Sequence, residues 1–210
     1  PVAARPGTRG RRPQIIGLAG ASGSGKSTLA QALYQQLKPW GCAIVPMDAY
    51  YRDLHDIPLA DRGTLNFDAP EALEIDKLVQ DISDLQQKRG IRMPVYDFTT
   101  HTRQPQTQAL EPTTYTIVEG VFALALPDLR QLFDLSIQVD TPPDICLLRR
   151  LRRDLAYRGR SVEEVLRQYE QTVRPSLQKW VWPAGAHANL RIEGTTPVPQ
   201  AVQSIMACLA

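Results

Sequence analysis

Along most of the chain, short apolar runs alternate with longer stretches in which a large aliphatic residue returns every third or fourth position. Runs of the first kind read as strands buried on both faces, and stretches of the second as helices crossing over between parallel strands. Gln14-Ile15-Ile16-Gly17-Leu18-Ala19 predicts the first strand, and Leu29, Leu33 and Leu37 predict one buried face of the helix behind it. Cys42 to Met47 predicts a second strand that finishes at Asp48. Pro46 has no N–H to give to a ladder, which puts that strand at an edge or at its end. A helix is expected over 71–88, with Leu73, Leu78, Ile82 and Leu85 as its buried stripe and Gly90 beyond its end. Further strands are expected at Tyr115 to Val118, closing at Glu119-Gly120, at Leu135 to Val139 and at Ala188 to Ile192. Between the last two, Ile145, Leu148, Leu151 and Leu155 mark the buried side of one helix, and Val162, Val165, Leu166, Tyr169 and Val173 fall at the spacing of another. A final helix spans 198–209.

The segment from Ile91 to Thr114 breaks the alternation. It holds Tyr96, Phe98, His101 and three prolines among many threonines and glutamines. A hairpin or extended excursion from the sheet fits it, and such excursions often carry binding residues. Taken together, the pattern is an α/β fold, with a parallel sheet flanked by helices and an excursion at about 91–114.

Length and charge narrow this picture. With 210 residues the chain is sized for one α/β domain over 14–210, preceded by a flexible basic tail at 1–13 that contains Arg5, Arg9, Arg11 and Arg12. A net charge of +2 gives no global field toward nucleic acid or a membrane. Cys42, Cys146 and Cys208 are odd in number and show no C-x-x-C spacing, and His55, His101 and His187 show no ligand spacing. Reduced thiols in a cytoplasmic protein follow, rather than a disulfide scaffold or a zinc site. Neither a membrane-spanning run nor a signal-peptide core is visible, so neither membrane nor nucleic acid is expected as a partner.

The chemistry begins at Gly20-Ala21-Ser22-Gly23-Ser24-Gly25-Lys26-Ser27, followed by Thr28, which fits G-x-x-x-x-G-K-[ST] between a strand and a helix. Glycines let consecutive backbone N–H groups turn inward around phosphates, and the helix N-terminus adds its positive dipole end. Lys26 would reach the β- and γ-phosphates of ATP, and Ser27 would ligate Mg²⁺. Two carboxylates stand where ligands of open α/β sheets lie, at the strand ends: Asp48 and Glu119. Asp48 is the candidate base for an acceptor hydroxyl and a possible neighbour of the metal, with an N-cap of the next segment as its other reading. Glu119 is the candidate organiser of the metal and its waters, where the general pattern has Asp.

Six arginines fall between 149 and 160: Arg149, Arg150, Arg152, Arg153, Arg158 and Arg160. With leucines on the buried side, Arg149, Arg150 and Arg153 are expected to project away from it, and Tyr157-Arg158-Gly159-Arg160 to form a turn. The cluster reads as a lid that clamps phosphates and offsets moving charge, or as a solvated helix face. No aromatic residues are interleaved as an RNA platform would need.

Longer segments carry a resemblance. Asp48-Ala49-Tyr50-Tyr51-Arg52-Asp53-Leu54, Asn66-Phe67-Asp68-Ala69-Pro70, Pro94 to Arg103, Glu119-Gly120-Val121, Arg149 to Arg160, Gln168-Tyr169 and Val173-Arg174-Pro175 resemble the uridine kinases (uridine–cytidine kinases). These belong to the P-loop kinases, with phosphoribulokinase and pantothenate kinase. Tyr50 stands where Phe is usual. The resemblance implies a five-stranded parallel sheet with a nucleoside-binding β-hairpin, a homotetramer, and transfer of the ATP γ-phosphoryl group to the 5′-hydroxyl of uridine or cytidine. It implies Asp48 as base, Asp68 on the ribose hydroxyls with Arg150, Arg160 and Gln168, and Tyr96 and His101 on the pyrimidine edge. Phe98 would pack on the base, and Arg153 and Arg158 would face the ATP phosphates. The same machinery acting on another hydroxylated metabolite, as in phosphoribulokinase or pantothenate kinase, is the alternative within enzymes. A regulator that holds ATP without transferring phosphate is the alternative outside them.

Overall fold

A computed structural model describes residues 12–62 and 65–209. The basic segment expected at 1–13 therefore lies outside the described residues apart from its last two. Of these, Arg12 forms an ion pair of 2.5 Å with Asp134.

Five parallel strands form the main sheet: β1 (Gln14–Gly20), β2 (Cys42–Pro46), β5 (Tyr115–Gly120), β6 (Leu135–Asp140) and β7 (Leu190–Glu193). Their order is β2-β5-β1-β6-β7, so β1 is central and the Pro46 strand is at an edge. Side chains of β1 alternate between two cores, because successive residues of a strand point to opposite faces. Ile15 and Ala19 pack on one side with Leu78, Ile82 and Leu85 of α2 (Ile75–Gln86). Ile16 and Leu18 pack on the other with Leu29, Leu33 and Leu37 of α1 (Lys26–Leu37). Each fully buried leucine of these stripes contributes roughly 1.5–3 kcal/mol. Alanine at Leu33 or Ile82 would break the packing at that point.

The excursion is a two-stranded antiparallel hairpin, β3 (Ile91–Asp97) and β4 (Thr102–Leu110), outside the main sheet. Ile91, Met93 and Tyr96 are buried, whereas the middle of β4 is exposed. Arg103 ties the hairpin down: its guanidinium donates to Tyr51 O at 3.1 Å and to Glu74 Oε2 at 2.6 Å.

Three expectations are corrected. The helix expected over 71–88 begins only at Ile75. Pro70–Ala72 is a 3₁₀ turn, and Leu73 is extended and bridged to Tyr51, because this stretch gives its backbone bonds to the segment after β2. The last strand starts at Leu190 rather than Ala188, since Asn189 is spent on clamping Ser136 through both its N–H and its side-chain oxygen.

The third correction concerns α3 (Pro143–Tyr157). Its buried residues are Cys146, Arg150 and Asp154, while Leu148 and Leu155 are exposed. The polar stripe faces inward because a cavity lies there.

Beyond α3, α4 (Val162–Gln168) opens with a reciprocal cap, Ser161 Oγ accepting from Glu164 N and Glu164 Oε2 from Ser161 N. The helical path continues through two π-helical stretches, Tyr169–Val173 and Leu177–Val181. Each ends two residues before a proline, Pro175 and Pro183. A proline inside a helix lacks the N–H and crowds the carbonyl four residues back, so the turn ahead of it widens. α5 (Val198–Leu209) closes the second core through Ala201, Val202 and Ile205. Among the described residues no helix is long and apolar enough to cross a membrane.

Candidate active site

The loop between β1 and α1 has no side chain capping the helix, which leaves the first N–H groups free for an anion. Gly23 and Gly25 have φ of 85° and 96°. A Cβ on Gly23 would sit 2.3 Å from Cys146 O, so only glycine fits where the loop passes under α3.

Asp48 is carried by a 3₁₀ turn, Met47–Tyr50, that continues β2. Its neighbours Met47, Ala49 and Tyr50 are buried and Asp48 alone points outward. Two contacts set this turn. Gly120 leaves room for Met47, whose Sδ would lie 2.5 Å from an added Cβ. Tyr50 Oη donates to the buried Asp81 Oδ2 at 2.8 Å, and Lys77 Nζ pairs with the same carboxylate at 3.1 Å.

Glu119 stands beside this turn, in register with Leu18 on one side and Pro46 on the other. Ser27 Oγ lies 3.3 Å from both of its carboxylate oxygens. Burial raises the Glu119 carboxyl above its ordinary value; Lys26 opposes that shift and the charge of Asp48 adds to it. Hard oxygen donors with few protein ligands suit a magnesium ion, which keeps waters and phosphate oxygens around it. Among the described residues no group of three or more His, Cys, Asp and Glu side chains could hold a metal by itself.

One cavity of about 510 Å³ brings most of the expected residues together. Ser22, Gly23, Gly25, Lys26, Ser27, Thr28 and Asp48 line one end, Asp68, Tyr96, Phe98 and His101 the other, and Arg150, Arg153, Arg158, Arg160 and Gln168 the roof. Gly20, Ala21 and Glu119 are not part of that lining, and Ser24 lines a neighbouring cavity. At the roof, Arg153 Nη2 reaches Ser22 Oγ at 3.5 Å. Arg150 donates to Gln168 Oε1 at 2.8 Å, and Arg160 donates to the same oxygen. That fixes the amide so that Gln168 Nε2 donates to Asp68 Oδ2 at 3.0 Å.

Three lining residues had been given no site role from sequence, Tyr51, Phe67 and Val121, and Arg149 had been read only as part of the arginine lid. Phe67 stacks on His101 with ring centroids 4.6 Å apart, and Tyr51 packs against both Phe67 and Tyr96. Burial holds the His101 imidazole below its ordinary range, assisted by the positive charges of Arg160 and Arg62, which favours the neutral ring. Burial pushes the Tyr96 phenol up to about 12, and its buried hydroxyl has no hydrogen-bond partner among the described residues. Arg149 donates to Ser24 O and Gly194 O, both at 3.2 Å, and so pins the phosphate loop to the turn after β7. A second cavity of about 300 Å³ opens on that side, lined by Thr28, Arg149, Thr195, Pro197 and Val198 among others. Thr172, behind the lining, donates to Asp68 Oδ2 at 2.7 Å. It lies in the first π-helical stretch, and Pro175 three residues on was the available signal for that widened turn.

A phosphate loop facing strand-end carboxylates beneath an arginine-rich roof is the working arrangement of the P-loop kinases, and this chain has their fold. Residues 15–199 match the profile of the Phosphoribulokinase / Uridine kinase family, and the chain belongs to that family. Among its relatives, a uridine kinase of Chloroflexus aurantiacus is 40% identical over 195 residues, covering 93% of both chains. One of Limosilactobacillus reuteri is 39% identical over 180 residues, covering 86% of this chain and 83% of its own. Solved structures share the fold at lower identity. A putative fructose transport system kinase of a Silicibacter species superposes with a TM-score of 0.72 at 24% identity, over 88% of this chain and 92% of its own. Phosphoribulokinase from Rhodobacter spheroides gives 0.63 at 15%, over 89% and 74%.

Proposed function

We propose that this chain transfers the γ-phosphoryl group of ATP to the 5′-hydroxyl of uridine or cytidine. The observation that carries the reading is the Asp68 carboxylate, oriented by Gln168 and Thr172 in the same cavity as Asp48 and the phosphate loop. A carboxylate held by two donors on one oxygen keeps the other oxygen for a ribose hydroxyl, and the aromatic wall of Phe67, Tyr96, Phe98 and His101 offers the base a stacking surface. The relatives named uridine kinases support the same substrate.

In this reading Asp48 takes the proton of the 5′-hydroxyl as it attacks in line. Lys26 and the loop amides hold the triphosphate, and Arg153 and Arg158 meet the charge that builds on the transferred group. Ser27, Glu119 and Asp48 would hold magnesium, which when bound neutralises charge on the phosphate oxygens. His101, neutral, can present a donor or an acceptor according to tautomer, which allows both uracil and cytosine. The second cavity adjoins the phosphate loop and would take the base of the donor nucleotide.

The test is purified protein with magnesium and ATP, offered uridine, cytidine, ribulose 5-phosphate and pantothenate in turn, with products identified by mass. UMP and CMP are expected. A phosphorylated product from either other acceptor alone would move the chain to that substrate, and ATP binding with no product from any would make it a non-catalytic binder. In the same assay Asp48→Asn is expected to lower kcat by at least about 100-fold while the ATP affinity stays within a few-fold.

A further inference from the structure

One ionisable group near the cavity has no part in the chemistry above. Asp154 is in the middle of α3 and is completely buried. A buried carboxylate is costly unless it is paired, and this one faces three cations. Arg153 Nε donates to its Oδ1 at 2.7 Å, Arg158 Nη1 lies 3.6 Å from the same oxygen, and Arg150 Nε lies 3.6 Å from Oδ2. Its backbone carbonyl also accepts from Arg158 N at 3.1 Å and Arg160 N at 3.3 Å, so it shapes the turn that follows the helix.

The arrangement solves a problem the arginines create for each other. Several guanidinium groups converging on an unfilled anion site repel one another and would splay apart. Arg158 records this, since burial and the charge of Arg153 both weaken its hold on its proton while Asp154 strengthens it. A countercharge inside the cavity would hold them together but would compete with the phosphates. Asp154 supplies the charge from behind, to Arg150 one turn before it, Arg153 immediately before it and Arg158 just past the end of the helix. Arg153 and Arg158 stay partly exposed toward the cavity, with side-chain exposures of 37% and 46%.

We propose that Asp154 is the positioning residue of the arginine roof: it aims Arg153 and Arg158 at the phosphate cavity, and Arg150 at the Gln168–Asp68 pair, before any nucleotide arrives. The inference rests on the reading of Arg153 and Arg158 as phosphate contacts. Electrostatic stabilisation of a transition state depends on groups already oriented when charge develops, so misaimed arginines cost turnover first. Ground-state attraction for a triphosphate does not need the carboxylate, which itself draws on the guanidinium charge.

The experiment measures kcat and KM for ATP in Asp154→Asn, in Arg153→Ala and in the double variant, with thermal melts of each. Asp154→Asn is expected to lower kcat about 10- to 100-fold with KM for ATP unchanged or lower, and to lower it by a several-fold smaller factor in the Arg153→Ala background, where only Arg158 and Arg150 remain to be misaimed. A role in folding alone would instead lower the melting temperature and the active fraction, so that apparent kcat falls with both KM values unchanged and by the same factor in that background; an undiminished effect there overturns the proposal, as does an unchanged kcat. Removing the charge beneath the buried Arg150 can unfold α3, so Asp154→Glu is measured beside it. Keeping the charge but shifting it by one methylene, this variant is expected to show the same split at smaller size, and full activity would overturn the proposal. Wild-type protein that phosphorylates no acceptor refutes the kinase reading instead, which keeps the two failures distinct.

Discussion

At the scale of single residues, the part of the cavity proposed for the acceptor is built from hydrogen bonds that pass inward from charge to charge. Arg150 and Arg160 fix Gln168, and Gln168 and Thr172 fix Asp68. The single hydroxyl proton of Thr172 is shared between Asp68 Oδ2 at 2.7 Å and Gln168 O at 3.0 Å, with the shorter contact to the carboxylate. A hydrogen bond to a charged group is worth about 1.5–3 kcal/mol. Thr172→Val keeps the shape and removes the donor, so kcat/KM for uridine is expected to fall about tenfold or more. KM for ATP, whose proposed site is the phosphate loop, is expected to stay within about twofold. Steady-state kinetics with each substrate varied in turn decides this, and an equal loss for both substrates would assign Thr172 to the fold rather than to the acceptor. None of this chain of contacts except Asp68, Gln168 and the arginines could be named from sequence. A threonine in a helical pattern carries no mark of what it faces.

At the scale of elements, the sequence was most legible where burial alone decides structure. β1, β5, β6, α1 and α5 fall within a residue or two of where their apolar patterns put them, because each has one unambiguous buried set. The pattern misled on α3, where the leucines were expected inside and the cavity claims the inward face for Arg150 and Asp154. Failures of local pattern are expected at sites that serve chemistry rather than packing. The stretch before α2 was misread for a related reason: Leu73 is buried as the pattern said, but in an extended bridge to Tyr51 that braces the Asp48 turn. Tyr50 braces the same turn from below through Asp81, in a position where the resemblance leads one to expect Phe. Burial raises its phenol far above the ordinary range, with Asp81 adding to the shift, so the hydroxyl is a permanent donor. Tyr50→Phe leaves Asp81 buried with Lys77 as its remaining partner. Stability toward urea is expected to fall by about 1–3 kcal/mol, with an unchanged denaturant slope. Turnover measured well below the midpoint is expected to stay within a few-fold. A variant as stable as the parent would show that the pair contributes nothing net.

At the scale of the whole molecule, what matters is where the charge lies rather than how much there is. The chain carries a net charge of only +2, yet Lys26, Arg149, Arg150, Arg153, Arg158 and Arg160 all border one cavity. Against them stand Asp48 and Asp68 in the lining, with Asp154 buried behind it. A cavity with low-dielectric walls and one prevailing sign concentrates the field on an anion entering it. Uridine is neutral and feels that field only through its dipoles, whereas a triphosphate feels it in full. Screening therefore acts on the two substrates unequally. Raising potassium chloride from 0.1 to 1 M shortens the Debye length from about 10 Å to about 3 Å. KM for ATP is expected to rise by at least about threefold over that range, and KM for uridine to change by less than about twofold, since the contacts proposed for it are hydrogen bonds and stacking. Initial rates across a salt series, with each substrate varied at saturating levels of the other, give both slopes. Parallel slopes would mean that salt acts on the fold as a whole, and that the arginines around the cavity do not see the phosphates as charges.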